Sequence, residues 1–266
     1  MSRIREIASV SNPLVKEIRA LHERKARAET GLFVAEGART IRTALDHGVA
    51  PERLAYRAAQ RDAPEIAALR GATDAEILEV GPAVLEKMTR RDNPQSVLGV
   101  FRERSRPLTV LDPASAPIWL ALEGVRDPGN LGTCIRTADA VGAGGVILIG
   151  NTCDPFGIET VRATMGSIFA VPVYTAAQDA GLAFVRAWPG VRIGTALRTE
   201  TDYRDVAWAS PTLIVTGTEQ RGLSEAMLAA CGTLVKLPMR AGVDSLNLAV
   251  ATGVMLYAAR AHLSGR

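Results

Sequence analysis

An aspartate-proline pair precedes two polar residues whose spacing could serve chemistry, in the run VRDPGNLGTCIRTADAVGAGG. Asp127 is a typical N-cap and Pro128 a typical first helical residue. Asn130 then falls in the first turn of a predicted helix and Arg136 about two turns in. The exposed N–H groups and positive end of a helix favour an anion nearby. Two interpretations follow: a solvated helix face with an unrelated arginine, or a helix N-terminus that meets a phosphate or carboxylate.

A second polar segment follows an apolar run in LIVTGTEQRGLSEAML, residues 213–228. Gly217, Glu219 and Gly222 lie between a predicted strand and a predicted helix. Gly217 would let a ligand approach the backbone closely. Turn geometry alone could also explain both glycines, and Glu219 could be a solvated loop carboxylate.

A third segment is VKLPMRAGVDSLNLAVATGVMLYAARAHL, residues 235–263, with a strand ending near Leu237 and Met239 and a helix opened by Ser245. Ser245 could be only an N-cap. Asn247 is harder to explain, because asparagine is a poor helix former and is expected just inside the first turn. Helical spacing predicts that one set of residues faces the core: Leu246, Val250, Val254 and Tyr257.

The elements that must position these segments alternate between strands and helices. After residue 117 the predicted strands are IWLALEGV, GVILIG, FAVPVY, VRIGTAL, PTLIVTG and TLVKLPM. Their near-continuous apolar character predicts a parallel sheet covered on both faces. Ligands of such sheets bind outside the carboxyl ends of the strands, where the polar segments lie. VGAGGV, residues 141–146, follows a helix and precedes a strand, which is the wrong polarity for a dinucleotide-binding loop.

The chain divides at a proline-rich stretch into a smaller N-terminal α/β domain (1–105), a linker (106–117) and a larger domain (118–266). Residues 1–106 carry 19 Lys and Arg against 15 Asp and Glu, whereas the whole chain of 266 residues has a net charge of +3. The basic excess is thus concentrated in the first part of the chain. The cations around the first helix are candidates for phosphate contacts, or form a solvated charged face because glutamates are interspersed: Arg19, Arg24, Lys25 and Arg27.

Composition excludes several other classes of protein. Aromatic residues make up only 5% of the chain, which argues against base stacking as the main contact with RNA. Cys134, Cys153 and Cys231 are far apart, so the sequence predicts neither a zinc site nor a disulfide framework. The three histidines are equally isolated. Without a signal-peptide pattern or an apolar run of transmembrane length, the sequence predicts a cytoplasmic protein that makes no membrane contact.

Three runs, NLGTCIRTADAVGA, GTEQRGLS and LPMRAGVDSLNLAVA, resemble in order and spacing the three motifs of the SpoU (TrmH-type) RNA 2′-O-ribose methyltransferases. RKARAETGLFVAEGARTIRTALDHG and NPQSVLGVF resemble the substrate-binding domain of that family. The departures are small: Thr218 stands at a variable position, and Arg240-Ala241 replace a commoner glycine-containing turn.

The resemblance implies a particular fold and cofactor. In this family the C-terminal parallel-sheet domain is threaded into a deep trefoil knot, an exception to the rule against knots. S-adenosylmethionine is held bent by the loops of the knot, and matching positions here are Thr195, Ala196, Gly217, Leu237, Met239 and Leu246. The family dimerises through this domain. The final helix, which is apolar on more than one side, fits a homodimer.

The resemblance also implies the chemistry of the polar residues. A ribose 2′-hydroxyl is a poor nucleophile, so its proton must leave or its developing charge must be stabilised, without a metal. Arg136 matches the arginine of the first motif. Because its pKa exceeds about 12, it acts as a base only with help from a phosphate or a desolvated site, and electrostatic stabilisation fits at least as well. The residues that match ribose-positioning groups are Asn130, Glu219, Ser245 and Asn247.

The predicted function is therefore S-adenosylmethionine-dependent 2′-O-methylation of structured RNA. Ribosomal RNA is favoured over transfer RNA because family members with a separate N-terminal domain often act on it. The alternatives are a transfer RNA enzyme, a base methyltransferase of the wider superfamily, and an RNA-binding assembly protein without activity. A binding protein would not need to keep the whole set of polar residues.

Overall fold

The computed structural model describes residues 4–92, 94–197, 199–218, 220–240, 242 and 245–263. Its elements confirm the predicted α/β class and the strands read from the apolar runs. In chain order they are β1 (Ile4–Ile7), α1 (Pro13–Ala20), α2 (Arg24–Thr30), β2 (Leu32–Glu36), α3 (Ala38–Asp46), β3 (Arg53–Arg57), α4 (Pro64–Gly71), β4 (Glu76–Val80), α5 (Pro82–Thr89), β5 (Val97–Arg102), β6 (Arg106–Pro107), β7 (Ile118–Glu123), α6 (Pro128–Val141), β8 (Val146–Ile149), α7 (Ile158–Thr164), β9 (Val173–Ala176), α8 (Gln178–Arg186), β10 (Val191–Thr195), β11 (Thr212–Thr216), α9 (Glu225–Ala230), β12 (Thr233–Val235) and α10 (Leu248–Leu263).

The chain forms two compact units. Unit 1 contains residues 1–103 together with 156–170, and unit 2 contains 104–155 and 171–266. The predicted boundaries assign residues 156–170 to the second domain. In the structure this segment, which includes α7, clusters with the first unit.

The reason is aromatic packing inside unit 1. Phe33 of β2 contacts Phe156 at 5.0 Å between ring centroids, and Phe101 of β5 contacts Phe169 at 4.7 Å. Four of the five phenylalanines of the chain thus meet in one cluster. Gly99 makes room for it, because a Cβ there would overlap the Phe101 ring.

Unit 1 is built on a five-stranded sheet in the order β1-β4-β3-β5-β2. β1, β4 and β3 are parallel, and β5 is antiparallel to both β3 and β2. An apolar cluster joins one face of this sheet to α1 and α5 through residues such as Val15, Ile18 and Leu85, all of them almost fully buried. Such burial supplies the main stabilisation of the unit.

Unit 2 contains a seven-stranded sheet in the order β12-β10-β11-β7-β8-β9-β6, and every pairing in it is parallel. Trp119 and its neighbours pack on one face with Val185 of α8 and Met227 of α9. α10 packs with α6 and against β11 and β7 on the other face, where Thr252 meets Thr216. No helix in the described part of the chain is long and apolar enough to cross a membrane.

The N-terminus of α6 confirms the capping prediction, but that of α10 does not. Asp127 accepts a hydrogen bond from the Asn130 N–H at 2.6 Å, with Pro128 as the first helical residue. α10 begins at Leu248. The Asn247 side chain accepts hydrogen bonds from the backbone N–H groups of Ala249 at 2.9 Å and of Val250 at 3.2 Å. Asn247 rather than Ser245 therefore caps this helix, a position that favours asparagine.

The predicted core face of α10 is wrong. Leu246 is 38% exposed, Val250 53% and Tyr257 54%, and Val254 is only half-buried. The buried residues of the helix lie on its other side: Leu248, Ala249, Thr252, Met255, Leu256 and Ala259. Helical spacing identifies residues that share a face, but it does not say whether that face meets the core.

Candidate active site

A cavity of about 470 Å³ lies in unit 2 where β10, β11 and β12 end. Its volume is in the range of sites for small molecules and cofactors. The residues that line it are Thr195, Ala196, Leu197, Gly217, Thr218, Gln220, Arg221, Gly222, Leu223, Glu225, Leu228, Leu234, Val235, Leu237, Met239, Ser245, Leu246, Leu248 and Ala251. The position agrees with the rule that parallel sheets bind ligands outside the carboxyl ends of their strands.

All six residues predicted to hold the cofactor line this one cavity, and so does Ser245. The wall combines leucines with residues of the three loops that follow the strands, a composition that suits a flat aromatic ring whose polar edge is read by main-chain groups. Thr218, Gln220 and Glu225 add polar side chains. The residues present therefore fit an adenosine-containing cofactor, and no residue outside unit 2 is needed to form the wall.

Besides close approach of a ligand, the loop geometry also requires a glycine at position 217. A Cβ at this position would overlap the backbone of Gly222 and Leu223. Those residues close a tight loop, in which Thr218 and Gly222 exchange two backbone hydrogen bonds of 3.0 and 2.8 Å. The glycine is thus required by the loop itself, whether or not a ligand also approaches its backbone.

The two predicted asparagines meet. Asn247 donates a hydrogen bond from Nδ2 to Oδ1 of Asn130, at 2.9 Å, and this bond joins the start of α10 to the first turn of α6. Ser245, two residues earlier, is exposed and lines the cavity. Neither asparagine lines the cavity, but Asn247 lies between two residues that do, Leu246 and Leu248, and Asn130 is joined to it by this hydrogen bond.

Arg136 lies elsewhere on α6. It is six residues from Asn130, which is about 9 Å along the helix axis and about 120° around it. Its side chain is exposed, has no hydrogen-bond or ion-pair partner among the described residues, and does not line the cavity. Glu219, the remaining predicted polar residue, lies outside the described residues.

Sequence reasoning missed Glu123, a buried carboxylate at the last position of β7. It accepts hydrogen bonds from the Ser224 N–H at 2.8 Å and the Ser224 hydroxyl at 2.7 Å, and a third from the Gln178 side chain. These bonds tie the loop that contains Gly217 to the centre of the sheet. Its place directly after an apolar run, before Gly124, was the available indication.

The thiols of unit 2 are poor nucleophiles. Burial raises the pKa of Cys134 and of Cys231 to about 12, and that of Cys153 to about 11. All three cysteines are free. The described residues contain no group of three or more His, Cys, Asp or Glu side chains that could hold a metal ion.

The cations predicted to touch RNA differ in accessibility. Arg19, Arg24 and Lys25 are exposed, and Lys25 lies 3.9 Å from Glu29. Arg27 is 4% exposed, and its guanidinium donates a hydrogen bond to the Leu21 carbonyl at 2.7 Å. Its buried position stabilises the end of α1, so Arg27 is not placed to meet a phosphate.

Comparison with known proteins agrees with this geometry. The model of the SpoU rRNA Methylase family matches residues 117–257, the sequence that builds the cavity and α6. The chain belongs to the SpoU rRNA methylase family. Residues 12–99 match the MRM3-like substrate binding domain, which corresponds to most of unit 1.

Similar proteins of the SpoU family cover almost the whole chain. A 23S rRNA (guanosine(2553)-2′-O)-methyltransferase of Bacillus subtilis is 29% identical over 98% of this chain and 100% of its own length. A 23S rRNA (uridine(2479)-2′-O)-methyltransferase of Streptomyces viridochromogenes is 31% identical over 92% and 88%. The crystal structure of an AdoMet-bound rRNA methyltransferase from Sinorhizobium meliloti has a TM-score of 0.88, 45% identity and 98% coverage of both chains.

Proposed function

We propose that this chain transfers a methyl group from S-adenosylmethionine to the 2′-hydroxyl of a ribose in ribosomal RNA, with 23S rRNA as the first substrate to test. The observation that carries the proposal is the cavity at three strand ends, which gathers all six predicted cofactor residues beside the bonded pair Asn130 and Asn247. Relatives of similar length are named for a guanosine and for a uridine of 23S rRNA. Similarity therefore supports the RNA class and leaves the nucleotide open.

The cofactor would be held mostly by loops rather than by long side chains. Thr195 to Leu197 and Gly217 line the cavity and would bind through their main-chain groups, and Leu237 and Leu246 would supply an apolar slot for adenine. When bound, S-adenosylmethionine supplies an electrophilic methyl group. The protein must then present an oriented ribose hydroxyl, because correct positioning accounts for much of the rate of such a displacement.

The polar residues of the site orient that hydroxyl and stabilise its charge. Asn130 and Asn247 fix the orientation of each other's amide groups through their hydrogen bond. Ser245 presents a hydroxyl at the edge of the cavity. Arg136 stabilises negative charge on the ribose oxygen or on an adjacent phosphate, because a guanidinium keeps its proton at neutral pH.

We further propose that the chain works as a homodimer through the second domain. α10 is apolar on two sides: one packs inside unit 2, and the other exposes Val250 and Tyr257, with Leu246 exposed just before the helix. Repeating this face in a second copy would give the self-complementary contact of a two-fold dimer. Because Arg136 does not line the cavity of its own chain, a dimer would also allow it to act on the partner's site.

The domain boundaries 1–105 and 118–266, the trefoil knot and a cytoplasmic location belong to the same proposal. The knot is supported by the path of the chain from the edge strand β12 to α10, which packs on the central strands β11 and β7. Lys236 also exchanges backbone hydrogen bonds with Thr201 and Tyr203, the segment after β10. Passage of the later segment through this loop would close the knot.

The test is to measure cofactor binding by calorimetry, with and without a chelator, and to map 2′-O-methylation of an unmodified 23S rRNA transcript. We expect binding in both conditions and methylation at a defined ribose. Absence of cofactor binding would refute the proposed cavity. Methylation of transfer RNA but not of 23S rRNA would show that the chain is a transfer RNA enzyme.

Subunit exchange tests the dimer. Arg136→Ala and the cavity variant Ala251→Phe should each have low activity at a cofactor concentration well below the raised dissociation constant of Ala251→Phe, and a mixture should regain activity if Arg136 acts across the interface. Sedimentation as a monomer would refute the dimer. Exchanging dimers without recovered activity would place Arg136 and the cavity of one chain in the same site.

A further inference from the structure

The carboxyl ends of three strands in unit 1 share one edge of its sheet. β3 and β4 are parallel, and β5 is antiparallel to both β3 and β2. Glu36, Arg57 and Val80 are the last residues of β2, β3 and β4, so all three strands end at the edge where β5 begins. We call this edge, with the segments that reach it, the carboxyl edge of unit 1.

Buried polar atoms without hydrogen-bond partners concentrate at this edge. They are Oε2 of Glu36, Nε of Arg57, Oε1 of Gln60 and Nε of Arg162, and the other two such atoms in the described residues belong to unit 2. Arg162 belongs to the edge because it donates a hydrogen bond to Glu36 at 2.7 Å. Most buried polar atoms in folded proteins have partners, so the polar side chains of this edge are less fully hydrogen-bonded than those of the rest of the described chain.

The edge has more positive than negative groups. Arg162 and Arg91 both pair with Glu36, the latter at 3.6 Å. On the other face Arg61 lies 3.7 Å from Glu79, which also accepts a hydrogen bond from the Tyr56 hydroxyl. Arg57, the fourth arginine, is in no ion pair with a described residue.

Three of these arginines are reachable from solvent, and Arg57 is half-buried. The side chains of Arg61, Arg91 and Arg162 are 49%, 42% and 29% exposed. They come from three separate segments, one of which is α7. Because β5 lies between β2 and β3, the ends of those two strands are about 10 Å apart. Guanidinium groups over this width suit a row of phosphates better than one small anion, and their planar donors favour phosphate oxygens.

We propose that the carboxyl edge of unit 1 binds the phosphate backbone of the substrate RNA through Arg57, Arg61, Arg91 and Arg162. This inference rests on the proposed function for its partner. It differs from the sequence-based candidates Arg19, Arg24 and Lys25, which lie on α1 and α2. One of the four arginines, Arg162, comes from α7, which aromatic packing places in unit 1.

The test compares RNA binding by Arg57→Gln and Arg91→Gln with that of Arg102→Gln. Arg102 ends β5 at the opposite edge of the same sheet, where it pairs with Glu52, and is the matched control. Affinity for an unmodified 23S rRNA fragment is measured by filter binding between about 50 and 200 mM salt. Calorimetry with S-adenosylmethionine and thermal unfolding check that each variant is folded.

We expect each edge variant to bind the fragment about five- to tenfold more weakly and to reduce the logarithmic salt slope by about 1. Arg102→Gln should change neither. Arg57→Lys should keep most of the salt slope, because it keeps the charge. If Arg57→Gln has a folding defect, Arg57→Lys still tests whether the charge at this position contributes to binding.

Equal affinities and slopes for the edge variants and for Arg102→Gln would overturn the inference and leave the edge to another kind of partner. A loss of thermal stability in both Arg57→Gln and Arg57→Lys that fully accounts for weaker binding would also overturn it. Because binding is measured without turnover, neither result depends on methylation. Failure of the wild-type protein to bind the cofactor would instead refute the proposed function.

Discussion

Glu123 and Glu36 are both buried glutamates at the last position of a strand, one in each unit. Glu123 receives three hydrogen bonds from neutral donors, and these hold the loop beside a cavity. Glu36 is paired with two arginines and still has an oxygen without a hydrogen bond. The carboxylate in unit 2 is thus fully hydrogen-bonded within its own unit, whereas the edge in unit 1 keeps four buried polar atoms without a hydrogen bond.

The two edges therefore suit different ligands. A cavity surrounds a small molecule, and its binding depends on shape and apolar contact. An open row of arginines binds a long polyanion through displaced counterions, so its binding depends strongly on salt. We expect variants of unit 2 to change chemistry or cofactor affinity at any salt concentration, and variants of the unit 1 edge to change RNA affinity in a salt-dependent way.

The largest effect is expected from Arg136→Ala. It should reduce methyl transfer by about 10²-fold or more, as does the loss of one donor to a developing oxyanion. Affinity for the cofactor should stay within a few-fold, because the side chain does not line the cavity. Single-turnover methylation and calorimetry measure the two quantities.

Arg136→Lys is the conservative control, and it should rescue poorly because lysine lacks the planar fork of arginine. Near-normal turnover of Arg136→Ala would remove this residue from the mechanism and weaken the assignment of chemistry to unit 2.

The next effect concerns the cavity itself. Ala251→Phe adds a ring on the side of α10 that lines the cavity, and it should raise the dissociation constant for S-adenosylmethionine at least about tenfold. Ala180→Phe places the same ring on the exposed side of α8 and is the control. Equal calorimetric affinities of the two variants would contradict the cofactor site.

Ala251 replaces the more obvious choice, Gly217, for a structural reason. Any side chain at Gly217 would disrupt the loop closed by Gly222 and Leu223. Loss of binding in such a variant would report a damaged loop as readily as a blocked cavity.

Local patterns predicted most of the secondary structure and the place of the cavity. Apolar runs predicted strands β7 to β12 of the second sheet, and Asp127 with Pro128 predicted the start of α6. Motif positions brought six residues to one cavity. These features depend on neighbours in sequence or on the general rule for parallel sheets, so a single sequence is enough to predict them.

What the sequence left undecided depends on tertiary contacts. Phe156 and Phe169 bring their segment to unit 1 by meeting Phe33 and Phe101, and no local pattern encodes that choice. The face of α10 with Val250 has the spacing of a core face, yet it is exposed. The hydrogen bonds of Glu123 also join residues up to 101 positions apart.

A smaller effect is expected from Glu123→Gln, which tests whether the satisfied edge of unit 2 supports its cavity. The new amide group would face donors where the carboxylate accepted hydrogen bonds, so the variant should lose roughly 1–3 kcal/mol of unfolding free energy. The KM for S-adenosylmethionine should rise several-fold because Ser224 follows the cavity loop. Thermal unfolding and steady-state kinetics measure the two changes.

Gln178→Ala is the milder control, since it removes one donor and leaves both hydrogen bonds from Ser224. An unchanged KM in Glu123→Gln, with stability reduced, would limit Glu123 to a role in folding.

The smallest effect is a pH dependence confined to unit 1. Burial lowers the pKa of His22 below 6.5, and the positive charges of nearby arginines lower it further, against the effect of its hydrogen bond to the Met88 carbonyl. The folded state therefore takes up a proton less readily than the unfolded chain, and stability falls as the pH drops from about 7 through 6.5 toward the lowered pKa.

Hydrogen exchange should show this loss in unit 1 peptides around α1 and α5, and His22→Gln should remove it. His47→Gln, at an exposed position after α3, should leave it in place. If His22→Gln keeps the full pH slope, or if the slope is equally large in peptides of unit 2, the titration belongs to other groups, and the contrast between the units does not extend to their response to acid.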